Sequence, residues 1–141
     1  MNWKLIFTLS LFGLGMAFAT VYFIPSTIEP LFWLAIFIAC AFFVARYAPG
    51  KYFLHGFTIS ILNSIWITIV HASLFYSYIA RHPEFQQMLD NLPPDLGGHP
   101  RRLMLPIGLI SGVIFGVILG LFCWVASKFT KPASAWTEPP A

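Results

Sequence analysis

The segment GLISGVIFGVILG, residues 108–120, decides the fold of this chain. A glycine stands at every fourth position of an otherwise apolar run, at Gly108, Gly112, Gly116 and Gly120. In water such a helix would be weak, because each interior glycine costs about 0.5–1 kcal/mol relative to alanine. In a membrane, a row of glycines lets a second helix approach closely and gain van der Waals contact. The spacing predicts a glycine-zipper packing face, whose partner is either another span of this chain or the same span of a second copy.

The composition of the whole chain agrees with a membrane setting. Of its 141 residues, 58% are hydrophobic and only 9% are charged, whereas soluble domains carry roughly 25% charged residues. The net charge of +3 comes from residues near the ends of apolar runs rather than from one basic patch. We therefore expect an integral membrane protein whose partner is the lipid bilayer, and no nucleic-acid partner.

Four apolar stretches are long enough to cross a bilayer, which needs about 20 helical residues. They are residues 4–24, 30–48, 52–80 and 104–127. The first also has the shape of a secretory signal sequence, but we interpret it as a retained span. These stretches predict an all-α, polytopic membrane protein, a single bundle of four antiparallel transmembrane helices over residues 1–131. The tail at 132–141 is rich in proline and polar residues, and we expect it to be mobile.

The third loop, residues 81–103, is the only sizeable segment outside the predicted spans. Pro83 can open a short helix, and apolar residues follow it at amphipathic spacing, at Phe85, Met88, Leu89 and Leu92. We expect this helix to lie at the membrane interface or over the mouth of the bundle.

The orientation of the bundle is predicted from lysine and arginine in the short loops. One side would hold five of these residues, namely Lys4, Arg46, Lys51, Lys128 and Lys131, and the other side would hold three, namely Arg81, Arg101 and Arg102. The excess places both termini in the cytoplasm. We expect a multi-pass protein of the bacterial inner (cytoplasmic) membrane.

A polar stripe runs along one face of the third predicted span. Its members are Ser60, Asn63, Ser64, Thr68, His71 and Tyr78. Such a stripe should face the bundle rather than lipid. The favoured interpretation is interhelical hydrogen bonding that fixes the packing. The other is a small polar cavity or ligand pocket centred on His71.

Buried without a carboxylate partner, His71 should stay neutral and bond to a hydroxyl or carbonyl of a neighbouring helix, with no role in proton relay. The predicted spans contain no aspartate or glutamate, and the acidic residue near a span before the third loop is Glu29, which precedes Pro30. We expect Glu29 at the interface, where it suits the positive N-terminal end of the second helix.

Motifs for catalysis or cofactor binding do not occur in the sequence: it has no GxSxG, Walker A or HExxH pattern. Cys40 and Cys123 lie in apolar runs without a CxxC pattern and are interpreted as small apolar residues. His55 and His71 lie on nearly opposite faces of one helix, so they cannot share one haem iron within a single chain, and a bis-histidine haem would require a dimer. No catalytic residue, metal or cofactor is predicted. The third loop has residues of metal-ligand type at no known spacing: His82, Glu84, Asp90, Asp95 and His99.

The second half of the chain combines a long span, the stretch His82-Pro83-Glu84-Phe85, a proline-bearing return, a glycine-rich last span and a basic tail. Over residues 50–131 it resembles a family of small bacterial four-helix membrane proteins grouped as a domain of unknown function. The resemblance implies a four-helix membrane fold and carries over no catalytic residues.

Three functional hypotheses follow from the sequence. The favoured one is helix–helix association, as an accessory subunit of a membrane complex or as a self-associating bundle, and hence a homo-oligomer. The alternative is binding or transport of a small molecule or lipid along the stripe around Asn63 and His71. The remotest is a metal-dependent enzyme that uses the third loop; we do not expect an enzyme.

Overall fold

A computed structural model describes residues 1–93, 95, 98–131 and 133 of the chain. The described regular structure is helical, and four of the helices are long and apolar enough to cross a membrane. The predicted all-α fold class is confirmed. The long helices are α1 (Trp3–Tyr22), α2 (Glu29–Tyr47), α3 (Tyr52–Ser73) and α6 (Pro100–Phe129), and the short ones are α4 (Phe75–Ile79) and α5 (Pro83–Asp90).

Local sequence signals explain most of the helix ends. The side-chain oxygen of Asn2 caps α1 by accepting a 3.1 Å hydrogen bond from the N–H of Leu5. Between α2 and α3 the chain reverses through Pro49 and Gly50, and Gly50 has φ of +130°, a conformation that favours glycine. The turn is therefore tight enough to make α2 and α3 antiparallel.

The third predicted span, 52–80, is divided in the structure. Helix α3 ends at Ser73, and the short helix α4 follows after Leu74. No proline or glycine marks this break. It directs Phe75 into a buried cluster with Leu89 and Met104, which joins α4 to α5 and α6.

The last span is longer than predicted. Helix α6 begins at Pro100 rather than at residue 104. Pro106 therefore lies inside the helix, in its second turn, and not near its start. Its ring is exposed, so the missing N–H lies on the outer face of the bundle.

Helix α3 is central to the bundle. It packs against α6 over the most extensive interface and against α1 on its other side. Helix α2 packs mainly on α6 and has little contact with α1 or α3. The main core lies between the four long helices and includes Ile6, Val44, Ile59, Leu119 and Cys123.

The N-terminus, the α2–α3 turn and residue 133 lie together at one end of the bundle. The N–H of Asn2 donates to Nε2 of His55 at 2.9 Å, and Nδ1 of the same ring donates to the Lys51 carbonyl at 3.0 Å. The N–H of Ala133 donates to the Arg46 carbonyl at 3.0 Å. We call this the terminal end, and the opposite end, with residues 81–103, the loop end. Apart from Ala133, the predicted mobile tail at 132–141 lies outside the described residues.

The amphipathic helix predicted in the third loop is present as α5 and lies over the loop end. Leu89 is buried against Phe75 and Met104, and Phe85 is half-buried. Met88, which shares the predicted apolar pattern, is exposed. Helix α5 therefore packs against α4 and the start of α6 at this end of the bundle.

Candidate functional site

The glycines of the predicted packing face lie against α3 of the same chain. A Cβ atom at Gly108 would collide with the hydroxyl of Thr68, and one at Gly112 would collide with that of Ser64. The hydroxyl of Ser60 also donates a 3.3 Å hydrogen bond to the Gly112 carbonyl. Small polar side chains of α3 thus fill the space that the glycines leave.

Nearer the terminal end the two backbones come closer still. A Cβ atom at Gly56 would lie 2.7 Å from the carbonyl oxygen of Leu119 and 2.9 Å from Cα of Gly120. One at Gly116 would lie 2.9 Å from the ring of Phe57. Gly56 is a single glycine in α3, so no spacing in the sequence marks it. The glycine face is therefore occupied by α3 and not left free for a second copy.

A cavity of about 470 Å³ lies between α2, α3 and α6, toward the loop end. It forms because α2 packs on α6 while making little contact with α3. The rings of Phe37 and Phe115 line it with their centroids 6.1 Å apart. Phe37 also belongs to the main core, so this ring is where the cavity meets the packed part of the bundle.

All six residues of the predicted polar stripe line this cavity: Ser60, Asn63, Ser64, Thr68, His71 and Tyr78. Ser111 of α6 adds a hydroxyl to the opposite wall. The Ser64 hydroxyl donates to the carbonyl of Ile61 in its own helix at 2.8 Å. The stripe therefore both bonds across the helix interfaces and forms the polar side of a cavity.

Asn63 has no hydrogen bond that balances its burial. Its side chain is 3% exposed, and no described residue bonds to either its amide nitrogen or its oxygen. It lies between the cavity and Gly13 of α1, where an added Cβ atom would be 2.6 Å from the amide carbon. A buried amide without partners costs roughly 1–3 kcal/mol per unpaired group. The cavity wall thus carries a donor and an acceptor in need of partners.

His71 bonds to a neighbouring helix, as the sequence predicts. Its Nε2 lies 2.9 Å from the hydroxyl oxygen of Thr20 in α1. That hydroxyl also lies within donating distance of the carbonyls of Met16 and Ala17, at 2.9 and 3.1 Å. The consistent arrangement is a neutral imidazole that donates from Nε2 to Thr20 while the hydroxyl donates to its own helix.

Tyr78 stacks between two imidazole rings at the loop end of the cavity. Its ring centroid is 4.0 Å from that of His71 and 4.2 Å from that of His82. Burial raises the pKa of Tyr78 well above its usual range, and the carboxylates of Glu29 and Glu84 add to the effect. The phenol therefore stays protonated and uncharged over the physiological pH range.

Glu29 faces the cavity rather than only the start of α2. One carboxylate oxygen, Oε1, accepts a 3.0 Å hydrogen bond from Nε1 of Trp33, and the other, Oε2, lies 3.5 Å from Nε2 of His82. The side chain of His82 is only 2% exposed. Sequence reasoning missed this contact, because Glu29 and His82 are far apart in the chain and meet only in the folded bundle. Each of the two residues immediately precedes a proline near the start of a helix, but this pattern does not indicate that they meet.

Among the described residues, no group of three or more His, Cys, Asp or Glu side chains is close enough together to hold a metal ion. His55 and His71 are engaged at opposite ends of α3, one with the N-terminus and one with α1. No protein-family model, curated protein or solved structure matches this chain. The resemblance over residues 50–131 stays a prediction.

Proposed function

We propose that this protein binds a small amphipathic molecule within the membrane, in the cavity between α2, α3 and α6. The observation that carries the proposal is the combination of a 470 Å³ cavity with a polar stripe on one wall and an unpaired, buried amide at Asn63. Ligand pockets typically have volumes of about 300–1,000 Å³, with mostly apolar walls and a few polar groups.

The walls indicate what such a molecule would look like. Apolar side chains surround most of the space, among them Trp33, Leu34, Phe37 and Phe115. The polar groups lie mainly along α3, so a ligand would carry a polar group on one side of an apolar body. Turning the Asn63 amide from α1 toward the cavity would give it partners on such a ligand.

Access from the bilayer is compatible with the same geometry. Leu34, Ile107 and Ile118 line the cavity and are also exposed on the side of the bundle. In a membrane that side faces lipid, so an apolar ligand could enter laterally. We also propose the bacterial cytoplasmic membrane with both termini in the cytoplasm, which would place the loop end outside.

Association with another protein or a second copy remains the second hypothesis. However, the glycine face of α6 on which that hypothesis rested packs against α3 of the same chain. The glycine face packs on α3, and an outer surface of apolar residues is expected of any membrane bundle. Binding is therefore the function that the geometry supports best. The proposal does not include a chemical reaction on the ligand.

The test is binding of a neutral aromatic dye, N-phenyl-1-naphthylamine, to the protein in lipid nanodiscs. We expect saturable binding that Ser111→Phe weakens at least about tenfold, or 1.4 kcal/mol, because the larger ring fills the cavity. The matched control is Val113→Phe, which adds the same ring on an exposed face of α6. Binding that does not saturate, or that both variants weaken equally, would overturn the proposal.

A further inference from the structure

We propose that the cavity takes up a monovalent cation with an apolar body, and that this cation displaces a proton held between Glu29 and His82. The inference rests on the proposed binding function and names the class of ligand. Three features carry it: the charge of the cavity wall, the unpaired nitrogen of His82, and the aromatic rings beside the carboxylate.

The charge of the cavity wall is one-sided. Among the described lining residues Glu29 is the only acid, and none is lysine or arginine. Its carboxylate is partly exposed, with 24% of the side chain accessible. Because a low-dielectric cavity strengthens the interaction between charges, the wall disfavours an anion and can neutralise a cation.

The contact between His82 and Glu29 requires a proton. Nδ1 of His82 lies 3.0 Å from the carbonyl of Tyr78, an acceptor, so Nδ1 must carry a hydrogen. In the neutral ring Nε2 would then present a lone pair to the carboxylate oxygen 3.5 Å away, and no described group donates to it. A proton on Nε2 turns this repulsion into an ion pair.

A bound cation competes for the same carboxylate. With the proton on Nε2, imidazolium and carboxylate together are neutral, and an added cation would face the imidazolium charge. When the proton leaves Nε2 for solvent, the cation replaces it as the partner of Glu29. One positive charge enters and one leaves, so the charge of the site does not change.

Aromatic rings suit the incoming cation. Trp33 and Phe85 line the cavity next to the Glu29–His82 contact, and Trp33 also donates its indole N–H to Glu29. A cation near the face of an aromatic ring gains about 0.5–2 kcal/mol, more when water is excluded. The carboxylate and the rings therefore favour a cation that carries apolar groups.

The other charged or titratable groups near this contact are His71, Arg81, Glu84 and Arg101. His71 of α3 lies on the far side of the neutral Tyr78 ring and bonds to α1. On the chain around α5, Arg81 and Glu84 are exposed. Arg101 of α6 lies over aromatic rings of the α4 region, 5.0 Å from the nearer centroid. Helix α1 and the rest of α2 bring no charged side chain to the described wall.

The test compares three probes on the full-length protein in nanodiscs: tetraphenylphosphonium, a cation; tetraphenylborate, an anion of the same shape; and the neutral dye. Calorimetry in two buffers of different ionisation enthalpy counts released protons. We expect tetraphenylphosphonium to release about one proton and to gain up to tenfold in affinity per pH unit while the contact is protonated. The neutral dye should release no proton on binding. Tetraphenylborate should not displace the bound dye.

Glu29→Gln should abolish the linked proton release, and His82→Gln should make binding of tetraphenylphosphonium independent of pH. The matched control, Glu84→Gln, removes an exposed acid of α5 and should leave proton release unchanged. Binding of the dye together with no cation binding, or with cation binding that releases no proton, would overturn this inference and leave the binding function intact. Saturable binding of none of the probes would contradict the binding function itself.

Discussion

Replacing Gly56 by alanine should destabilise the bundle, although alanine is the better helix former. The added methyl group would lie 2.7 Å from the Leu119 carbonyl oxygen and 2.9 Å from Cα of Gly120. Both are backbone atoms, so α3 and α6 must separate along their main interface. Overpacking of this kind costs about 1–3 kcal/mol, while the gain in helix propensity is about 0.5–1 kcal/mol. The midpoints of the two ranges leave a net loss of about 1 kcal/mol of unfolding free energy, and the largest net loss would be about 2.5 kcal/mol.

Gly15→Ala is the matched control, since Gly15 also lies inside a long helix but an added Cβ atom meets nothing within 4 Å. It should leave stability unchanged or raise it by up to about 1 kcal/mol. The assay is loss of helical circular dichroism as the denaturing detergent SDS is titrated into mild-detergent micelles. If Gly56→Ala proved as stable as the native chain, the close approach of α3 and α6 would be refuted.

Three further predictions follow from the same contacts. Gly112→Leu should lower the SDS concentration at which the bundle unfolds, because Gly112 lies against α3. Val113→Leu, on the exposed face, should change it little, and equal unfolding midpoints for the two variants would contradict this. Thr20→Val should lower the unfolding free energy by about 1–3 kcal/mol, because it leaves Nε2 of His71 unpaired. His71→Gln should still fold, and a His71→Gln variant less stable than Thr20→Val would refute the hydrogen bond. Since burial raises the pKa of Tyr78, unfolding free energy should fall as pH rises above about 10, the usual tyrosine pKa. Tyr78→Phe should reduce this fall, and an identical pH profile would contradict it.

The sequence predicts the spans of this protein well because apolar length and flanking prolines are local properties. Pro30 and Pro49 bracket the second predicted span, and α2 begins and ends within one residue of the prediction. The break at Leu74 was not predictable in this way. It depends on where Phe75 can be buried against α5 and α6, which is a property of the assembled bundle.

The polar stripe was predictable as one face of a helix, but the cavity was not. The spacing of Ser60, Asn63 and His71 places them on one side of α3 whatever the neighbours are. Whether that side of α3 faces a helix or a cavity depends on which helices pack together. In this bundle α2 packs mainly on α6 and makes little contact with α3. The same limit applies to Glu29 and His82, since nothing local indicates that they meet.

The glycine face of α6 was likewise predictable only in part. Its spacing predicts close packing, but the partner could not be identified from α6 alone. The structure adds Gly56, which lies where α3 and α6 are closest, and Gly13, which lies against Asn63. Neither glycine belongs to a four-residue repeat, so only the helix that each one faces explains it.

Photo-crosslinking tests the central claim, that the cavity is a binding site, most directly. A neutral probe with a diazirine group would be activated with the protein in nanodiscs, and the labelled residues mapped by mass spectrometry. We predict saturable labelling concentrated on the cavity faces of α2 and α6, near Trp33 and Phe115, and its loss in Ser111→Phe. Labelling spread evenly over lipid-facing residues such as Leu121 and Trp124, and unchanged by that substitution, would contradict the claim.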